Sequence, residues 1–238
     1  MANFKLQLEV CANGIESAIA AQEAGVARIE LCEHLEVGGV TPDLMILPQA
    51  TEKIHLPIHV LIRPRAGNFF YSKDEFNRMK TTVMLCKSLM IGGVVFGVIN
   101  EDNAIDTIRC GQLTELARPM SITFHRAFDE VRNPFQALEE IISLGFDRIL
   151  TSGQKSNCLE GSELISQLVE QAAGRISIMA GAGITEENIA EVVKRTYANE
   201  FHFTAKKKLA DGSFVSDLNR ILKIKEIAEK TYYDRSNI

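Results

Sequence analysis

The sequence lacks any apolar run long enough to cross a bilayer. Its longest, Leu89 to Ile99, holds 11 residues and is broken by glycines, against the roughly 18 that a span needs; no membrane partner is expected. Proline is scarce, 6 in 238 residues, and glycine stands at 16, which excludes collagen-like and low-complexity classes. The 5 cysteines are odd in number, scattered, and include no C-x-x-C pair. That argues against a secreted disulfide framework and for a reducing cytoplasm. Neither charge gathers into a block: 26 Lys+Arg face 31 Asp+Glu for a net of −5, and the one basic run is the short Lys206-Lys207-Lys208. No nucleic-acid partner is expected from such a surface. Met1-Ala2-Asn3-Phe4-Lys5 opens without an apolar h-region, so no signal peptide is expected. A G-x-S-x-G elbow, a Walker loop, an H-E-x-x-H pair and a G-x-G-x-x-G after the first strand are also missing, which removes several enzyme classes at once.

What is present is ordinary globular material, 46% apolar and 24% charged, organised by alternation. Strand-like segments occupy Phe4–Cys11, Ala27–Cys32, Ile58–Pro64, Gly93–Ile99, Met120–Phe128, Arg148–Ser152, Ile176–Ala180 and Glu200–Thr204. Their starts step by about 28 residues, the length of a strand, a crossover helix and two loops. Helix punctuation falls between them: Ile15–Ala24 before Gly25, a cap at Thr41-Pro42-Asp43, a capping box at Ser72–Glu75, Asn133-Pro134 before a helix ending at Gly145, and a start at Thr185. No linker divides the chain. The reading is a single-domain (β/α)8 TIM barrel over residues 1–238, with an open doubly wound sheet as the rival.

Strand parity sorts side chains into a helix-facing set and a barrel-facing set. Leu6, Leu8 and Val10 face out, so Gln7, Glu9 and Cys11 face in; Ile29 and Leu31 leave Arg28, Glu30 and Cys32 inside. By the same rule His59, Leu61 and Arg63, then Thr123 and His125, then His202 and Thr204, point inward. Barrel interiors are ordinarily Val, Ile and Leu, so Glu9, Glu30, Arg63, His125 and His202 need a reason. Two are open: a self-satisfying internal network, or a ligand site at the C-terminal mouth.

Glu9-Val10-Cys11 and Glu30-Leu31-Cys32 repeat one acid–apolar–Cys pattern on adjacent strands. Strands about 4.8 Å apart bring two such thiols within reach of one soft ion, and Cu(I) suits two sulfurs where structural zinc asks for four ligands. The plain alternative is that both are small buried hydrophobes. Gly181-Ala182-Gly183 follows the seventh strand, where backbone N–H groups can hold a phosphate, or where glycine simply permits a tight turn. Arg63, Arg65 and Arg126 are candidate donors to a small anionic ligand, although Arg126 has outward parity. Glu9, Glu30 and His125 are the candidates for acid/base catalysis on such a ligand.

These pieces together resemble the CutC family: EVC (9–11), RIELC (28–32), GGVTP (38–42), IRPRAGNFFY (62–71), GVVFG (93–97), TFHRAFD (123–129), ILTSGQ (149–154), GAGI (181–184) and EFH (200–202). The resemblance implies a cytoplasmic TIM-type barrel that assembles as a homo-oligomer and is associated with copper homeostasis. It implies copper on the thiols of the EVC and ELC motifs, here Cys11 and Cys32.

Overall fold

The computed structural model describes residues 5–210 and 212–236; Phe4, expected to open the first strand, lies outside them. Eight parallel strands close into a barrel in sequence order: β1 (Gln7–Ala12), β2 (Arg28–Leu31), β3 (Ile58–Leu61), β4 (Gly93–Phe96), β5 (Ser121–Phe124), β6 (Arg148–Thr151), β7 (Ser177–Gly181) and β8 (Glu200–Phe203). Helices α1 (Ile15–Glu23), α2 (Leu47–Lys53), α3 (Lys73–Ser88), α4 (Thr107–Ala117), α5 (Pro134–Ser143), α6 (Ser162–Ala172), α7 (Ile189–Thr196) and α8 (Leu218–Ser236) follow the strands in turn. The (β/α)8 reading holds, and the open sheet is excluded because β8 pairs with β1 through Leu8 opposite Phe201 and Glu9 opposite His202.

Parity places the core as expected. Val10, Ile29, Leu31, Val60, Ile122, Phe124 and Phe201 are fully buried between strands and helices, while Cys11, Cys32, Leu61 and Val95 form a separate small cluster inside the barrel. The interior crowds where bulky polar groups replace aliphatic ones, and glycine makes room. A Cβ on Gly93 would stand 2.5 Å from the His59 ring, and one on Gly181 would stand 2.5 Å from Leu150 and 3.2 Å from the His202 Cβ.

Several boundaries shift for local reasons. Ser72 accepts from the Glu75 N–H while the Glu75 carboxylate accepts from the Ser72 N–H, so the capping box opens α3 as read. At residues 41–43 the cap is Asp43, which accepts from Met45 N–H to start a 3-10 turn over Leu44–Ile46; Thr41 instead accepts from Arg63 N–H at 2.8 Å. The start expected at Thr185 becomes a turn in which Asn188 accepts from Thr185 N–H, and α7 begins after it. The fifth strand stops at Phe124, because His125 takes the Ala127 N–H on its Nδ1 and caps a 3-10 turn over Arg126–Glu130.

One element was not anticipated. Between β8 and α8 an antiparallel hairpin, β9 (Lys206–Lys208) and β10 (Phe214–Ser216), folds back over the start of the chain. Asn13 donates to Phe214 O at 2.7 Å and Ser216 N–H donates to Ser17 Oγ at 2.9 Å, pinning β10 beside α1. No described helix is long and apolar enough to cross a membrane.

Candidate functional site

The inward polar residues divide into two tiers. In the lower tier Arg28 on β2 bridges Glu9 of β1 and Glu200 of β8. Arg148 reaches Glu200 at 3.3 Å and also donates to Ser121 and Thr123. Glu9 accepts from His202 Nδ1 at 2.7 Å, with His59 Nδ1 at 3.8 Å. Burial opposes ionisation of Glu9, but the Arg28 and His202 charges around it hold the carboxyl well below its usual range; Glu200 is lowered likewise by Arg28 and Arg148. Apart from His59 Nδ1, which is buried without a hydrogen-bond partner, this tier satisfies itself. Glu9, a candidate for proton transfer, belongs to it: fully buried and absent from the cavity wall.

The upper tier faces an open cavity of about 940 Å³ at the C-terminal end of the barrel, lined among others by Cys11, Glu30, Arg63, Phe69, His125, Gly183 and His202. It is not self-satisfied. Glu30 Oε2 and His125 Nε2 are buried without a hydrogen-bond partner, while Arg63 meets the Tyr71 hydroxyl. Each unpartnered atom carries a desolvation cost of roughly 1–3 kcal/mol, so two in one cavity point to a ligand.

Glu30 and the cysteines form the floor. Cys11 Sγ donates to Glu30 Oε1 at 3.2 Å and lies 3.3 Å from Cys32 Sγ. Cys32 sits behind it, fully buried under Gly39 and Leu61. Cys11 is pushed well above the ordinary thiol range, first by its hydrogen bond with Cys32, then by burial and the charge of Glu30. Burial raises Glu30, against the pull of His202. Two donor sets fall within 4.8 Å: Cys11, Glu30 and Cys32, and Glu9, Glu30 and His202. The first suits a soft ion because two of its three donors are sulfur. The other cysteines, Cys86, Cys110 and Cys158, are buried singly, each pushed up to about 12 by desolvation.

The wall is built by loops. Arg63 donates to Val37 O, Gly39 O and Gly67 O at 3.0, 2.7 and 2.8 Å and stacks 4.8 Å from the Phe69 ring centre, so it ties the loops after β2 and β3 together. His125 packs on Phe69; burial and the Arg63 charge lower it to about 3, leaving a neutral ring. Its Nδ1 accepts from Ala127 N–H at 3.2 Å, so its proton sits on Nε2, facing the cavity.

Three candidates stand elsewhere or act otherwise. Arg65 does not reach the cavity: Glu75, the Ala66, Asn68 and Phe70 carbonyls and the Asn68 amide take its guanidinium. Gly181 is absent from the wall, and its lack of a side chain serves His202 instead. Arg126 lines the cavity yet is tied to Asp129 at 2.8 Å, and Asp129 also gathers Thr151 and Ser152. Sequence reading passed over Glu200 and Arg148, although the same parity places them inside. It also passed over Lys206 and Lys208, whose position depends on a hairpin with no strong turn motif.

Comparison with known proteins agrees with this fold. A model of the CutC family matches residues 6–207. The mouse copper homeostasis protein cutC homolog is 45% identical over 205 residues, covering 86% of this chain and 75% of that protein. A family protein CutC from Vibrio cholerae is 48% identical over 205 residues, covering 85% of this chain and 81% of its own. A CutC crystal structure from Streptococcus agalactiae superposes with a TM-score of 0.80 at 32% identity, covering 84% of this chain and 98% of that one. Phosphoribosylanthranilate isomerase from Pyrococcus furiosus, at 13% identity and a TM-score of 0.60, shares the fold alone.

Proposed function

This chain belongs to the CutC family, whose mouse and human members carry copper homeostasis in their names, and on that footing we propose that it binds Cu(I) as cargo through Cys11 and Cys32. The observation that carries the reading is the 3.3 Å approach of two reduced thiols on the floor of an open cavity. Thiolates are the preferred ligands of Cu(I), and two suffice, whereas a zinc site would ask for four ligands. Cys11 faces the cavity and receives the ion; Cys32 closes on it from behind. Glu30, hydrogen-bonded to the Cys11 sulfur, accepts the Cys11 proton and the Cys32 proton passes to solvent, since metal binding displaces one proton from each thiol. The protein then buffers or passes on the ion in a reducing cytoplasm, as a homo-oligomer, in keeping with its family.

Titration of the reduced protein with Cu(I) against a chromophoric chelator tests this. One equivalent is expected to bind. The Cys11→Ser/Cys32→Ser variant is expected to weaken it by more than the roughly 10–100-fold typical of losing an outer-sphere partner. Equal affinity in the double variant would remove the thiol site.

A further inference from the structure

Copper on two thiols leaves most of the cavity without a role. Its wall carries five cations, Arg63, Arg126, Lys206, Lys208 and Arg220, against the carboxylates of Glu30, Asp129 and Glu130, in a chain of net charge −5. Two of the five are ion-paired, Arg126 to Asp129 and Arg220 to Glu186 at 2.9 Å; Arg63 is tied to three carbonyls, and Lys206 stands 5.0 Å over the Phe214 ring. Lys206 and Lys208 have no ion-pair partner among the described residues. Strand alternation in β9 turns both toward the cavity, while Lys207 between them points to Asp217 at 3.7 Å. Arg220 also donates to Lys206 O at 2.7 Å and so fastens the root of the hairpin to the loop after β7.

That loop supplies Ala182, Gly183, Ile184 and Thr185 to the same wall. The N–H groups of Gly183 and Ile184 find no acceptor among the described residues. Independently, a buried unpartnered nitrogen on the opposite side, Nε2 of His125 (4% exposed), is an N–H donor. Every unsatisfied group on both sides, Glu30 apart, seeks an acceptor oxygen. The rim offers two lysines and two backbone N–H groups, which a tetrahedral dianion with three terminal oxygens can engage together; a planar monoanionic carboxylate cannot. The cavity is far larger than a free phosphate ion, so it has room for an organic body bearing oxygens.

We propose that the mouth of this barrel binds a small phosphate monoester, with the phosphate on Lys206, Lys208 and the 183–184 loop and an oxygen of its body on His125 Nε2–H. The site is separate from the copper reading and stands or falls without it.

Binding is measured calorimetrically at fixed ionic strength with inorganic phosphate, glycerol 3-phosphate and glycerol as probes, on the reduced, metal-free protein. Glycerol 3-phosphate is expected to saturate and to bind more tightly than phosphate, with glycerol silent. Lys206→Ala/Lys208→Ala is expected to weaken both phosphates by about tenfold or more, the scale of losing a charge-assisted hydrogen bond. His125→Gln is expected to weaken glycerol 3-phosphate and leave inorganic phosphate unchanged. Cys11→Ser/Cys32→Ser should keep phosphate binding while losing copper, which separates the two proposals. Absence of saturable binding by either phosphate, or unchanged affinity in the lysine variant, overturns the site; equal effects of His125→Gln on both probes overturn the placement of the body.

Discussion

At the scale of single residues, the deepest constraint is the lower tier of charge. Among the described residues Arg28 alone is ion-paired with both Glu9 and Glu200, and Glu9 has no exposure to solvent. Removing one partner of a buried ion pair costs about 3–5 kcal/mol, because the remaining charge is stranded, whereas neutralising the whole set can be nearly free. Arg28→Met is therefore expected to lower unfolding stability in urea by that amount, and Arg28→Met/Glu9→Gln/Glu200→Gln to recover a large part of it. A single variant within 1 kcal/mol of the parent would mean that the network carries no such strain. Residue identity made this tier half legible: parity along β1 and β2 puts Glu9 and Arg28 inside. The division into satisfied and unsatisfied tiers was not legible, because it depends on which carboxylate oxygen each guanidinium reaches. Arg65 shows the same limit. Its type and loop suit an anion, yet five neighbouring acceptors claim it first.

At the scale of elements, strands were read more surely than the starts of helices. A strand inside a closed barrel shows an apolar outer stripe of period two; all eight segments were found, and in five of them the alternation also sorted the faces. A helix start is a competition among nearby side chains for the same backbone donors. At 41–43 Asp43 wins because Thr41 is committed to Arg63 N–H, and at 185–188 Asn188 wins by closing on Thr185 N–H. Ser72 has no rival. Both halves of its box are made, and loss of a Ser cap costs about 1 kcal/mol. Ser72→Ala is expected to lower the thermal midpoint by about 2–4 °C in a protein of this size, and no change would mean that α3 is held by packing alone. The hairpin of β9 and β10 is the element sequence could least supply. Three consecutive lysines read as a solvated run, and only pairing of Lys206 with Ser216 and Lys208 with Phe214 gives them a common face.

At the scale of the whole molecule, the buried histidines set how stability depends on pH. His59 is held at about 4 and His125 at about 3, in each case chiefly by burial, with Arg28 and Arg148 near the first and Arg63 and Arg126 near the second adding to the effect. In the unfolded chain a histidine takes its proton near pH 6.5. Between that pH and the folded values the unfolded state binds more protons, so stability is full above 6.5 and falls as pH drops toward 4, by about 1.4 kcal/mol per pH unit for each histidine. His202 is raised by Glu30 and Glu9 against its burial; its contribution is complete below 6.5 and is lost as pH rises through its folded value, so it adds no slope in the acid window. Glu30, raised by burial, works against the two low histidines just above the ordinary carboxylate range, and it does so equally in any protein that retains it. The difference between parent and His125→Gln therefore isolates one group. Urea unfolding at intervals from pH 6 to 4.5 is expected to give the variant a slope shallower by about 1.4 kcal/mol per pH unit. Parallel slopes would mean that His125 protonates at its ordinary pH and that burial does not hold its ring neutral in the acid window.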